Sequence, residues 1–148
     1  MFAHSISLAV AETIVDEVLR QGRERGFQPL TVVVLDAGGH IKAMKRDDGA
    51  SLMRPEICMG KAWGALALGF GGRELARRAE KMSMFMNAAS DLAGGRMVPV
   101  PGGILIKDAT GTIIGAVGIT GDTSDNDEIC GVEAVKAAGL TPDTGDAL

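Results

Sequence analysis

An α+β domain built around a mostly antiparallel sheet is the fold this chain predicts, and three observations carry it. Two pairs of β-favouring runs close on tight turns, Leu35-Asp-Ala-Gly-Gly-His-Ile41 and Lys107-Asp-Ala-Thr-Gly-Thr-Ile113. Each pair is preceded and followed by a stretch with helical spacing, so the order reads helix–hairpin–helix twice. No strand–helix–strand signature interrupts that order, which leaves hairpins to build the sheet and helices to cover it. The shared D-A-x-G-x-I pattern is open to two readings. It is an internal echo, or a separate reuse of Asp and Gly by two tight hairpins.

In chain order, Ser7 caps a first helix whose Leu8, Ala11, Val15, Val18 and Leu19 recur at helical spacing, with Gly22 and Gly26 as its stop. Thr31 to Leu35 and Ile41 to Lys45 form the first hairpin. Pro55 suits the first position of a helix running through Leu68, and Gly69-Phe70-Gly71-Gly72 breaks it. A further helix from Arg73, with Leu75, Ala79, Met82 and Met86 on one face, is expected to run to Gly94-Gly95. Met97 to Val100 is read as a short edge strand, because Pro99 and Pro101 cannot donate on both sides. From Pro101 to Cys130 the second hairpin feeds an acidic helix, with Ser124 as its cap and Asp125, Asp127 and Glu128 in its positive first turn. Gly115 and Gly118 lie inside that hairpin's second strand, a sign that backbone or ligand approaches closely there. Gly139 and Pro142 end the last helix. Residues 1–140 are thus read as one domain and 141–148 as a frayed C-terminal tail.

Composition narrows the functional classes. A chain of 148 residues can bury roughly two-thirds of its unfolded surface as a single domain. Lys plus Arg number 15 against 19 Asp plus Glu, a net charge of −4, which argues against nucleic acid or an anionic membrane as partner. Only 3% of residues are aromatic and there is no Tyr, so a base-stacking platform is not expected. The first ten residues, MFAHSISLAV, lack a positive n-region, and no run of 18 apolar residues occurs. Cys58 and Cys130 lack metal-type spacing and read as reduced, half-buried thiols. A cytoplasmic protein without a structural metal is the resulting expectation.

The residues that could carry chemistry form three sets. His4 and His40 are isolated, with neither HxxxH spacing nor an acidic helical partner, and do not make a zinc site. Met82, Met84 and Met86 could line a soft apolar pocket, or serve as core and interface packing. The polar set is Arg46, Glu56, Lys61, Asp125 and Glu128. Arg46 ends a strand and could hold a carboxylate bidentately. Lys61, among Ala62, Trp63 and Leu66, could have its pKa lowered by burial towards general-base duty, or simply snorkel. Gly102-Gly103 and the stretch from Thr120 to Ser124 flank the second hairpin, where backbone N–H groups could meet an anionic ligand.

The turn Asp36–Ile41 with the following Arg46-Asp47-Asp48-Gly49-Ala50, then Lys61-Ala62, Pro101-Gly102-Gly103 and Ile114–Gly121 followed by Asp125–Glu128, resembles the GlcG/HbpS-like family of haem-binding or haem-degrading proteins. The resemblance spans Ser7 to Leu140. One departure is Thr120, where the family often has Ser; the hydroxyl is kept. The resemblance implies a profilin-like fold: a five-stranded antiparallel sheet with helices on both sides, assembling as homo-oligomers. It also implies haem as a ligand, with degradation in some members, and association with catabolic functions. It transfers no axial ligand. The alternative is an acid–base enzyme of tautomerase, hydratase or decarboxylase type. In it Arg46, with Gly102, Gly103 and Thr120, binds a small carboxylate while Lys61 or Glu56 moves the proton. A sensor or accessory module is the third reading.

Overall fold

The computed structural model describes residues 4–146. Five strands, β1 (Thr31–Asp36), β2 (Ile41–Arg46), β3 (Gly103–Lys107), β4 (Ile113–Thr120) and β5 (Thr141–Asp143), form one antiparallel sheet in the order β2-β1-β4-β3-β5. Strand alternation sends successive side chains to opposite faces. On one face Val32, Val34, Ile104, Ile106, Val117 and Ile119 pack against α1 (Leu8–Glu24) and α5 (Ser124–Ala137). On the other, Val33, Leu35, Leu105 and Ala116 meet α2 (Arg54–Leu68), with Cys58, Ala62 and Ala65 turned inward. The α+β, five-stranded antiparallel expectation with helices on both sides is what the chain adopts.

The two hairpin turns share one geometry. Asp36 Oδ1 accepts from Gly38 N at 2.9 Å and His40 N at 3.0 Å; Asp108 Oδ1 accepts from Thr110 N at 2.9 Å and Thr112 N at 3.0 Å. Gly39 and Gly111 take φ of +83° and +84°, the left-handed conformation this turn needs. The strand that follows or precedes each turn shifts register by one residue, at Val34/Leu35 and at Ile106/Lys107. The motif echo is therefore a structural one.

Four local expectations need correction. The segment from Arg73 to Gly94-Gly95 is not one helix: α3 (Gly72–Lys81) stops at Met82, whose backbone leaves the helical region, and α4 (Ser83–Leu92) restarts. A straight helix of that length would reach roughly 30 Å. The break instead brings Met86 back onto Leu75 and Met97. Met97 to Val100 is no strand; it crosses α2, where Val98 N donates to Gly60 O at 3.1 Å, and its prolines cannot pair with a sheet. The cap of α5 is Thr123, which accepts from Asn126 N, rather than Ser124. The segment from Thr141 is not frayed either. It supplies β5, which pairs with β3, and Arg73 N donates to Thr144 O at 3.0 Å. Pro142 fits there because β5 is an edge strand. Ala147 and Leu148, the end of the expected tail, lie outside the described residues, as do the first three residues of the N-terminus.

Candidate functional site

Two places on the α2 face of the sheet combine chemistry with an unusual local structure. The first is a polar node beneath α2. Its glycines exist because α2 lies almost on the sheet: a Cβ on Gly118 would stand 2.0 Å from Cys58 O, and one on Gly103 2.3 Å from Lys61 O. Lys61 is only 2% exposed and points into the sheet. Its Nζ donates to Ile119 O at 2.8 Å and to Asp127 Oδ2 at 3.1 Å, while Asp127 Oδ1 accepts from Asp122 N at 2.9 Å. The ion pair thus ties α2, β4 and α5 together. Burial pushes the Lys61 pKa down, against the opposing charge of Asp127, and the nearby Arg54 guanidinium lowers it further. Burial pushes the Asp127 carboxyl up, with Lys61 opposing. Gly102, at φ +106°, sits over this node: a Cβ there would come within 3.0 Å of Lys61 Nζ.

Thr120 lies at the end of β4, buried, and its Oγ1 accepts from Arg54 Nη1 at 2.8 Å. Arg54 Nε in turn donates to Ser51 Oγ at 3.1 Å. Of the sequence candidates, Gly102 and Gly103 lie against Lys61, and Thr120 follows the residue whose carbonyl Lys61 holds. Arg46 is not in contact with them. It is exposed at the end of edge strand β2, and Arg54 occupies the place beside Thr120 that Arg46 was expected to take. Glu56 is also apart: it is exposed on the outer side of α2, whereas Lys61 turns inward. Asp125 and Glu128, the remaining polar candidates, are held by Arg73 at 2.8 and 2.7 Å.

The second place is apolar. Between α2 and α4 runs an open groove of about 450 Å³, its walls formed by Trp63, Leu68, Phe85, Leu92, Arg96 and Met97 with alanines between them. A smaller groove of about 310 Å³ shares Trp63 and Arg96 and continues past Met59, Gly60 and Val98 to Glu56. The Arg96 guanidinium stacks on the Trp63 ring, 4.0 Å from its centroid, and places a cation in an otherwise greasy wall. The far edge of that ring abuts the first hairpin turn, where a Cβ on Gly39 would lie 3.2 Å from Trp63 Cδ1. Of the expected methionine set, Met86 is buried behind α4 with Leu75, while Met82 and Met84 are exposed; Met97 and Met59 are the thioethers that line the grooves. His4 and His40 are exposed and line neither groove. Cys58 and Cys130 are fully buried rather than half-buried, and burial pushes their thiols up to about 12 and about 11. Among the described residues no group of three or more His, Cys, Asp or Glu side chains could hold a metal ion, and no helix is long and apolar enough to cross a membrane.

The sequence profile of the family described as "Haem degrading protein HbpS-like" matches residues 6–136. The chain belongs to the HbpS-like family. The HbpS-like fold is equally plain in solved structures. The PduOC:heme complex aligns with a TM-score of 0.81 at 22% identity, covering 96% of this chain and 99% of that one. The ORFY protein of Klebsiella pneumoniae gives 0.82 at 24%, covering 94% of each chain. HbpS gives 0.78 at 22%, covering 93% and 92%. At these identities the likeness is one of fold. In sequence, an uncharacterized 15.0 kDa protein from the dhaT-dhaS intergenic region of Citrobacter freundii is 28% identical over 125 residues, 84% of this chain and 86% of that protein.

Asp127, read only as a first-turn acid of its helix, was missed as the partner of Lys61, and so were Arg54, Arg96 and the Phe85/Leu92 pair. A signal existed for the last two. Phe85 and Leu92 are seven residues apart, one stripe of a helix, but the stripe is concealed when α3 and α4 are read as one helix with a different apolar face.

Proposed function

We propose that this HbpS-like protein binds haem in the groove between α2 and α4. The observation that carries the proposal is the groove's composition: two aromatic walls, a thioether and one cation within a cavity of ligand size, in a chain whose family is described by haem degradation. The fold neighbour solved as a heme complex supports the same ligand. Trp63 and Phe85 would hold the apolar macrocycle, Arg96 would pair with a propionate, and Met97 would offer a thioether to its iron. Bound haem would supply a redox-active iron centre. The chain's own residues supply an apolar wall that excludes water and a cation that orients the acidic edge. Haem degradation is the activity the family description adds to this reading.

Titrating hemin into the protein while recording the Soret band and Trp63 fluorescence tests it. Saturable binding at a fixed stoichiometry is expected, with quenching of Trp63, the single tryptophan. Leu92 is 91% exposed, so Leu92→Asp should leave the fold intact while weakening hemin binding about tenfold, roughly 1.4 kcal/mol. Unsaturable binding, or an unchanged affinity in Leu92→Asp, would remove haem from this groove.

A further inference from the structure

The threonines at the polar node pose a question that haem binding does not answer. Thr31 of β1 is directly opposite Thr120 of β4 and directly opposite Arg46 of β2, so the three form one row across the sheet. All three face α2. Thr31 and Val33 alternate together, and Val33 and Met44 pack on the α2 side. Lys45, between Met44 and Arg46, reaches the other way to Asp16 of α1 at 2.6 Å. Two strand spacings of about 4.8 Å separate Arg46 from Thr120 along this row.

Thr31 is fully buried, and its Oγ1 has no hydrogen-bond partner among the described residues. A buried hydroxyl left unpaired is costly, so such atoms are uncommon in folded proteins. The neighbouring cation is equally unspent. Arg54 gives one N–H to Ser51 Oγ and one to Thr120 Oγ1, and among the described residues it has no carboxylate partner. Arg20, Arg23, Arg73, Arg77 and Arg78 each have one, while Arg25, Arg46 and Arg96 share with Arg54 the lack of one among the described residues. The first turn of α2 begins at the same spot without any side-chain cap, adding the positive end of a helix, and its one acidic residue, Glu56, is exposed to solvent. Lys61 adds nothing to this surplus, because Asp127 neutralises it.

We infer that Arg54, Thr31, Thr120 and Arg46 form a binding site for a small free carboxylate, separate from the apolar groove. Arg54 holds the carboxylate through the N–H groups it has left, Thr31 Oγ1 donates the hydrogen bond it otherwise lacks, and Arg46 closes the solvent side. Thr120 fixes the Arg54 guanidinium and is a positioning residue.

The test is calorimetric titration of sodium malonate into the full chain at constant ionic strength, with sodium chloride as the control, on wild type, Thr31→Val and Arg54→Gln. Saturable malonate heat is expected in wild type, weakened ten-fold or more in both variants, since each loses a hydrogen bond to a charged group. Thr31→Val is isosteric and removes an unpaired hydroxyl. It should therefore raise the Tm of the ligand-free protein by a few degrees while costing malonate affinity. That opposite pair of signs is the signature of a hydroxyl reserved for a ligand. Absence of saturable heat, an unchanged affinity in Thr31→Val, or a lowered Tm there, as expected if a buried water already satisfies the hydroxyl, would each overturn the site. Repeating the titration on hemin-loaded protein separates this inference from haem binding: malonate heat should be unchanged. Displacement of hemin by malonate would assign the site to haem propionates and overturn its independence.

Discussion

The two faces of the sheet are made of different material. The face under α1 and α5 is a continuous aliphatic core: Ile14, Val15, Val18, Val32, Val34, Ile104, Ile106 and Ile119 are essentially without solvent contact. The face under α2 is built from small residues, with Gly103, Gly118, Ala62, Ala65 and Ala116 letting the helix sit almost on the strands. Into that thin layer the chain sets its buried ion pair, its unpaired threonine and, one layer further out, its apolar groove. Side-chain volume stabilises the first face, and backbone proximity shapes the second. Polar groups survive on the second face because helix and strand backbones are near enough to satisfy them, as Ile119 O satisfies Lys61.

The hardest test of that contrast is to break the ion pair. Lys61→Met leaves Asp127 buried beside an apolar chain and should cost about 3–5 kcal/mol, read from urea unfolding. The double variant Lys61→Met/Asp127→Leu should recover much of the loss, since well-packed apolar replacements of buried pairs are often neutral. A single variant within 0.5 kcal/mol of wild type would show that the node does not hold α2 down.

Gly118→Ala comes next. Its Cβ would overlap Cys58 O, so α2 must lift from the strands, at about 3 kcal/mol. The lift should also disturb hemin binding, because Trp63 rides on the same helix. Unaltered stability would mean that the helix is free to move and that its closeness sets nothing.

The smallest effect belongs to the other face, on the solvent side of α1. Hydrogen bonds from Arg20, then from Gln21, hold the Glu17 carboxyl down at about 2. A depressed folded pKa contributes stability above the unfolded value near 4.5 and loses it as pH falls towards 2. Because Arg20 is largely exposed, solvent screening keeps this contribution modest. In Glu17→Gln the decline of Tm between pH 4.5 and 2 should be slightly shallower than in wild type; an identical decline would remove the pair from the stability of that face.

How far the sequence carried the structure differs between the two faces for the same reason. Regular periodicity and Asp-Gly turns announce large side chains in regular elements, so α1, both hairpins and α5 were readable to within a few residues. The α2 face depends on contacts between distant backbones. Gly118 could be flagged as a close approach, but not as an approach to Cys58. Thr120 was expected to bind a ligand together with Arg46. A register row two strands wide separates them, and Arg54 arrives from the helix instead. The break at Met82 has no glycine or proline to announce it. The fifth strand was missed because Pro142 reads as a helix stop opening a frayed tail, and only an edge position tolerates a proline in a strand.

That short strand bears on how the protein can be handled. The sheet ends at β2 on one side and at β5 on the other, and the two margins are guarded differently. Along β2 the guard is charge, from Lys42, Lys45 and Arg46. At the opposite margin β5 offers three residues, one of them a proline, and Lys107 and Arg77 pin the segment through Asp143 and Asp146. Beneath it lies Ile104-Leu105-Ile106, a run of the kind that recruits strands from other molecules when left bare. A variant cut back to Leu140 would trade a proline-blunted rim for an adhesive one, so fusions and affinity handles on this chain belong beyond Asp146 or at the other terminus.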